Sequence, residues 1–197
     1  MKINKKDLAG SILSALSDIH YIKPEDFPNI DLYMDQVTTF MDKELASSKR
    51  YAEDKILTKT MINNYAKNDL LPPPTKKKYS REHMYMLMFI YYFKNILSIS
   101  DIQELLGPVA KNYFGKESGQ SMAYIYEQIF HLLEEGVPSF YQDIEEKIKA
   151  SRTTFSDLDS KKQEEMKDFA LICLLGFDIY MKKQLMEQLI DAKKGST

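Results

Sequence analysis

The residues with most chemistry to offer lie between Thr58 and Tyr79. Thr58, Lys59, Thr60, Asn63, Asn64 and Lys67 are spaced to share the outward face of a short helix, with Met61, Ile62 and Tyr65 turned inward. Asparagine can pair bidentately with adenine, threonine can touch a thymine methyl, and lysine serves guanine or phosphate, so this face suits a DNA major groove. Thr58 stands where an N-cap would, its hydroxyl able to accept from an otherwise unpaired first-turn N–H. The free N–H groups of a helix start also favour anionic phosphate. Farther along, Lys76, Lys77, Lys78 and Tyr79 form a second basic element of phosphate-contacting type. It follows Leu70-Leu71-Pro72-Pro73-Pro74, where three prolines cannot continue a helix. The competing reading of both elements is a solvated charged surface.

The overall charge of −2 and isoelectric point near 6.0 hide a segregation. From Lys49 to His83 there are nine Lys/Arg against four Asp/Glu, whereas the rest of the chain holds 18 basic and 25 acidic residues. Positive charge gathered in this way can present a local anion-binding face on an acidic protein.

Other chemistries find less support. Glu127, His131 and Glu135 step by four along one helix, and the outer two stand too far apart for one small ion. His20 and His83 have no neighbours that suggest a triad or ligand set. A Gly-rich phosphate loop, a nucleophile elbow and an HExxH motif are all lacking, so neither catalysis, a metal nor a cofactor is expected. The single cysteine, Cys173, excludes a disulfide framework and suits a reducing cytoplasm, the expected location. The N-terminal stretch places Leu8, Ile12, Leu16 and Ile19 at helical spacing, interrupted by Asp7, Asp18 and serines, and reads as a docking helix rather than a signal peptide. Phe169 to Met181, the most apolar later run, is too short for a bilayer.

The elements that must position these residues read as all-α. Seven glycines and seven prolines in 197 residues leave few tight turns from which to build a sandwich or barrel. Ile30 to Leu45 carries Ile30, Met34, Val37, Met41 and Leu45 on one helical face. Thr58 to Asn68 is the short helix already described. Ser80 opens a helix whose centre, Met84 to Phe93, is ten consecutive apolar or aromatic residues and must be covered on every side. Ser98 and Asp101 form a capping box for a helix that carries Ile102, Leu105 and Leu106 and ends at Gly107-Pro108. Gly136-Val137-Pro138 separates a helix bearing Met122, Ile125 and Ile129 from one bearing Tyr141, Ile144 and Ile148. Ser160 with Gln163 starts a last helix of about 30 residues that reaches Lys193. Asp178 lies four residues before Lys182, the spacing of a helical ion pair. No hairpin is legible.

The order short helix, Leu-Leu-Pro, basic segment, Tyr-Ser, apolar helix, capped helix resembles the DNA-binding module of the MerR family of transcriptional regulators. The matching residues are Thr58 through Tyr65, Asp69 through Pro72, Tyr79-Ser80, Phe89-Ile90 and the SISDIQELL stretch from Ser98 to Leu106. The resemblance implies a winged helix-turn-helix with Thr58–Asn68 as recognition helix, residues 30–45 as the preceding helix and Lys76–Lys78 as a shortened wing. Asn63-Asn64-Tyr65 stands where that family carries Arg-Tyr-Tyr. Three parts follow: an N-terminal helix and linker over 1–29, the DNA-binding module over 30–106, and a C-terminal helical domain over 107–197. The expected function is a sequence-specific regulator that binds double-stranded DNA. It is expected to form a homodimer through the C-terminal helices, where Phe169, Cys173, Leu175, Ile179, Met186 and Leu189 exceed one packing face, although Lys182 and Lys183 interrupt a clean heptad seam. The methionines leave room for a small-molecule effector cavity among those helices. The alternative is an all-helical interaction module whose basic face binds an acidic protein.

Overall fold

The computed structural model describes residues 10–12, 14, 21–116 and 119–194. Of the first expected helix, Gly10–Ile12 and Ser14 are helical, while Leu8, Leu16, Ile19 and His20 lie outside the described residues. The described chain is predominantly helical, with one two-stranded sheet. In order come β1 (Leu32–Tyr33), α1 (Met34–Glu44), α2 (Lys59–Lys67), β2 (Lys78–Tyr79), α3 (Arg81–Phe93), α4 (Ile99–Tyr113), α5 (Met122–Arg152) and α6 (Ser160–Lys194). The chain divides into two compact units, one over residues 15–132 with Met1 and one over 2–14 with 133–197. The division falls within α5, where Met122, Tyr126 and Phe130 are buried.

The apolar centre of α3 organises the first unit. Every residue from His83 to Tyr91 is buried, as a helix apolar on all sides requires. Phe27 meets Tyr85 edge-on at 4.8 Å, and Val37, Met41, Ile62 of α2, Ile102 of α4 and Tyr126 of α5 are buried with it in this unit. Tyr126 stacks on Tyr85 at 4.5 Å, and its buried hydroxyl donates to the Ile22 carbonyl at 2.7 Å. That bond satisfies the one polar atom which would otherwise make burying the ring costly.

His83 has a structural task that its sequence neighbours did not reveal. Its Nδ1 accepts from the Ser80 backbone N–H at 2.9 Å, which closes the capping box at the start of α3. The ring lies edge-on between Tyr79 and Phe114, and Nε2 stands 3.4 Å from the Pro73 carbonyl. Accepting at Nδ1 requires the neutral imidazole. Burial pulls the pKa of His83 below the ordinary histidine value, against the bonds to Pro73 and Pro72 and the charge of Asp31. A histidine whose folded pKa is depressed binds more protons when unfolded. Its stability contribution is therefore intact above about pH 6.5 and is lost as pH falls from there through the folded value. Urea midpoints should drop on acidification through that window, and less so in His83→Gln. An NMR titration midpoint for His83 above about 6.5 would refute this assignment.

Several boundaries differ from the sequence reading. Ile30 is 68% exposed and precedes the strand Leu32–Tyr33; α1 starts only at Met34, where Gln36 Oε1 accepts from the Tyr33 N–H at 2.9 Å. Pro108 does not end α4 and Pro138 does not split α5; both lie inside continuous helices. Both prolines are exposed, so water can take the carbonyl each leaves unbonded. The last helix is capped by Asp159, whose Oδ1 accepts from Lys162 N at 3.2 Å, one residue before the expected Ser160. The Ser98 cap forms, its Oγ accepting from Asp101 N at 3.1 Å and donating to the Asp101 carboxylate at 2.6 Å.

In the second unit, Ile144 and Ile148 of α5 pack with Leu171 of α6, joined by the partly buried Ile12 and Leu175. Arg152 bridges to Glu164 and Asp168 at 3.0 Å each. Asp178 receives Lys182 at 2.9 Å, the pair its spacing suggested, and also lies 3.7 Å from Lys147. Among the described residues no helix is long and apolar enough to cross a membrane.

Candidate nucleic-acid interface

The register of α2 is set by what it buries. Ile62 is fully buried and Tyr65 nearly so, while Met61 is half-buried. With that face fixed, Lys59, Thr60, Asn63, Asn64 and Lys67 are exposed. Thr58 caps the helix, accepting from Met61 N at 3.2 Å. The helix ends on Asp69, whose φ of 54° lets Leu70 N reach the Tyr65 carbonyl at 2.9 Å. This left-handed cap stops α2 before the prolines are reached.

The basic segment folds as a tight hairpin. Thr75 and Lys78 exchange both backbone bonds, at 3.0 and 2.9 Å, around Lys76 and Lys77. Those two residues have φ of 50° and 64°, the double left-handed geometry of a type I′ turn, which usually takes Asn-Gly. No turn was legible because two lysines occupy the place of its signature residues. β2 then pairs antiparallel with β1, Leu32 opposite Tyr79 and Tyr33 opposite Lys78. Lys76 and Lys77 are exposed at the tip. Lys78 is half-buried, its ammonium 5.2 Å above the Tyr33 ring. Tyr79 departs from its expected role: it is 3% exposed, held against His83, and serves the core rather than a ligand surface.

Two features qualify the face electrostatically. Lys59 is ion-paired with Asp35, an exposed pair of the kind that contributes little to stability. The segment 45–58 between α1 and α2 also exceeds the three- or four-residue turn of an ordinary helix-turn-helix. It contains the 3₁₀ turn Ala46–Ser48 and folds back through an Asp54 carboxylate that accepts from Tyr51 N at 2.9 Å. Between this segment, α1 and the start of α2 lies a polar groove of about 590 Å³. Lys43, Lys49, Lys55 and Lys59 line it with Asp42 and Asp54, and Lys49 pairs with Asp42 at 2.7 Å. Lys43, Lys49 and Lys55 were not among the sequence candidates, although the last two belong to the basic stretch that charge counting marks.

Elsewhere, Glu127, His131 and Glu135 are all exposed along α5. In the second unit an apolar groove of about 470 Å³ is lined by Phe155, Phe169, Leu174 and Phe177, with Cys173 exposed beside them.

Residues 22–129 match the family described as Domain of unknown function (DUF1836), and since this is more than half of the chain, the chain belongs to that family. The matched span nearly coincides with the first compact unit, which holds α2 and the hairpin. No curated protein and no solved structure matches the chain.

Proposed function

We propose that this member of the DUF1836 family is a non-catalytic, sequence-specific DNA-binding regulator that lays α2 in the major groove and its lysine hairpin against the adjacent backbone. The observation that carries the reading is the division of α2. Ile62 and Tyr65 anchor it to the core, while Thr60, Asn63, Asn64 and Lys67 remain outward with side chains able to read base edges. The N-terminus of α2 and the lysines of the neighbouring groove add positive charge for phosphates.

Asn63 supplies the test, because it is exposed one turn in from the capped start of the helix. Duplexes selected from a random library by the full chain define the preferred site. Asn63→Ala should then cost ~1–3 kcal/mol on that site and relax selectivity at one base pair. Lys67→Ala should weaken preferred and random duplexes alike, as a phosphate contact does. Selection that returns no enriched sequence, with no salt-dependent binding to any duplex, would overturn the proposal in favour of an acidic protein partner.

A further inference from the structure

The exposed side of α6 is too apolar to be a finished surface. Phe169, Ile172, Phe177, Ile179 and Tyr180 are each 55–66% exposed. Side chains of this size carry roughly 150–250 Å² when fully open, so the five together offer on the order of 500 Å². Cys173, Leu174 and Met181 extend the patch, which is continuous with the apolar groove beside Phe169 and Phe177. That total approaches the ~800 Å² per partner of a standard interface and lies at the upper end of what lone monomers expose.

Charge selects the partner. Successive turns of this face read Lys161, Glu165, the apolar stretch, Lys183 and Glu187. A second copy laid antiparallel brings Lys161 opposite Glu187 and Glu165 opposite Lys183, both pairings centred on position 174; a parallel copy sets like against like. Lys183 and Glu187 already pair along the helix, and such partly exposed pairs rearrange at little cost. Gly176 lies next to that centre, and a Cβ built there would meet nothing within 4 Å, so the backbone is open to close approach. We infer that α6 docks against α6 of a second copy, antiparallel, crossing at the turn that holds Cys173 and Gly176. This goes beyond the DNA reading and does not depend on it.

Sedimentation of the full chain at micromolar concentration should give a dimer. Ile172→Glu with Tyr180→Glu should yield a monomer of unchanged helical content. Gly176→Leu is the cleaner variant, since leucine improves a helix interior and its Cβ would meet nothing within 4 Å in one copy. It should raise the dissociation constant by roughly tenfold or more without lowering the melting temperature. Glu165→Lys or Lys183→Glu alone should weaken the dimer, and the two together should restore it. A short bis-maleimide should join Cys173 to its copy in the dimer but not in the Ile172→Glu, Tyr180→Glu variant. A monomer throughout, a dimer indifferent to Gly176→Leu, or a dimer that never cross-links through Cys173 would each overturn the inference.

Discussion

Leu87→Ala should lower the unfolding free energy of the unit spanning residues 15–132 by ~2–5 kcal/mol. Leu87 is fully inaccessible at the middle of α3, with buried residues on either side from His83 to Tyr91. Truncation removes the transfer energy of the lost carbons and leaves a cavity that a helix packed all round cannot collapse to fill. A domain of this size is typically stable by about 5–15 kcal/mol, so the change consumes a large share of the margin. Urea unfolding followed by the signals of buried Tyr65, Tyr85 and Tyr126 reads it directly. Ile99→Ala, at a residue 55% exposed at the start of α4, should shift the midpoint by no more than ~0.5 kcal/mol. Equal small effects at both positions would mean that α3 is not the organising core.

That core was legible because its signal needs no partner. Ten consecutive apolar residues between Ser80 and Lys94 can only be an element surrounded by others, and the structure surrounds it. The caps at Thr58 and Ser98 were legible for the same reason, since a hydroxyl two or three residues before unpaired N–H groups acts locally. What failed was punctuation. Gly107-Pro108 and Gly136-Val137-Pro138 read as breaks, yet α4 and α5 run through them. A proline forfeits one bond and strains one turn; where that turn faces water, continuing the helix costs less than ending it. Ile30 misled in the opposite sense. Its side chain matches the apolar period, but the antiparallel pairing of Leu32 with Tyr79 extends the backbone there, and a contact between residues so distant leaves no local trace.

The candidate site was half legible. The outward positions of Asn63 and Asn64 followed from the inward pull of Ile62 and Tyr65, a periodicity argument that needs only α2 itself. Lys43 and Lys49 escaped notice because the folding of residues 45–58 against α1 brings them beside Lys59. Tyr79 was grouped with the lysines by its place in a basic run, and strand alternation buries it. Lys78 and Tyr79 are neighbours in β2, so when one side chain is at the surface the next turns to the core.

The hairpin separates function from stability most sharply. Lys76 and Lys77 both occupy left-handed backbone, which disfavours any residue with a side chain branch at Cα by ~1–2 kcal/mol relative to glycine. Asn-Gly is the pair that this turn prefers. Replacing Lys76→Asn and Lys77→Gly together should therefore stabilise the fold by ~1–2 kcal/mol. A turn that served only to close Thr75 against Lys78 at the head of β2 would gain from the change and lose nothing. If the lysines instead meet phosphates, the more stable variant binds DNA less well. The slope of log affinity on log salt should then shallow by about 1.8, at ~0.9 for each lost contact. Lys78→Ala should alter the slope less, because its ammonium rests over the Tyr33 ring. Melting temperature and salt-dependent binding measured on one preparation give both axes. A stabilised variant with an unchanged slope assigns the hairpin to the fold alone; a stabilised variant with a shallower slope means that two lysines are kept in strained backbone for the charge they hold out.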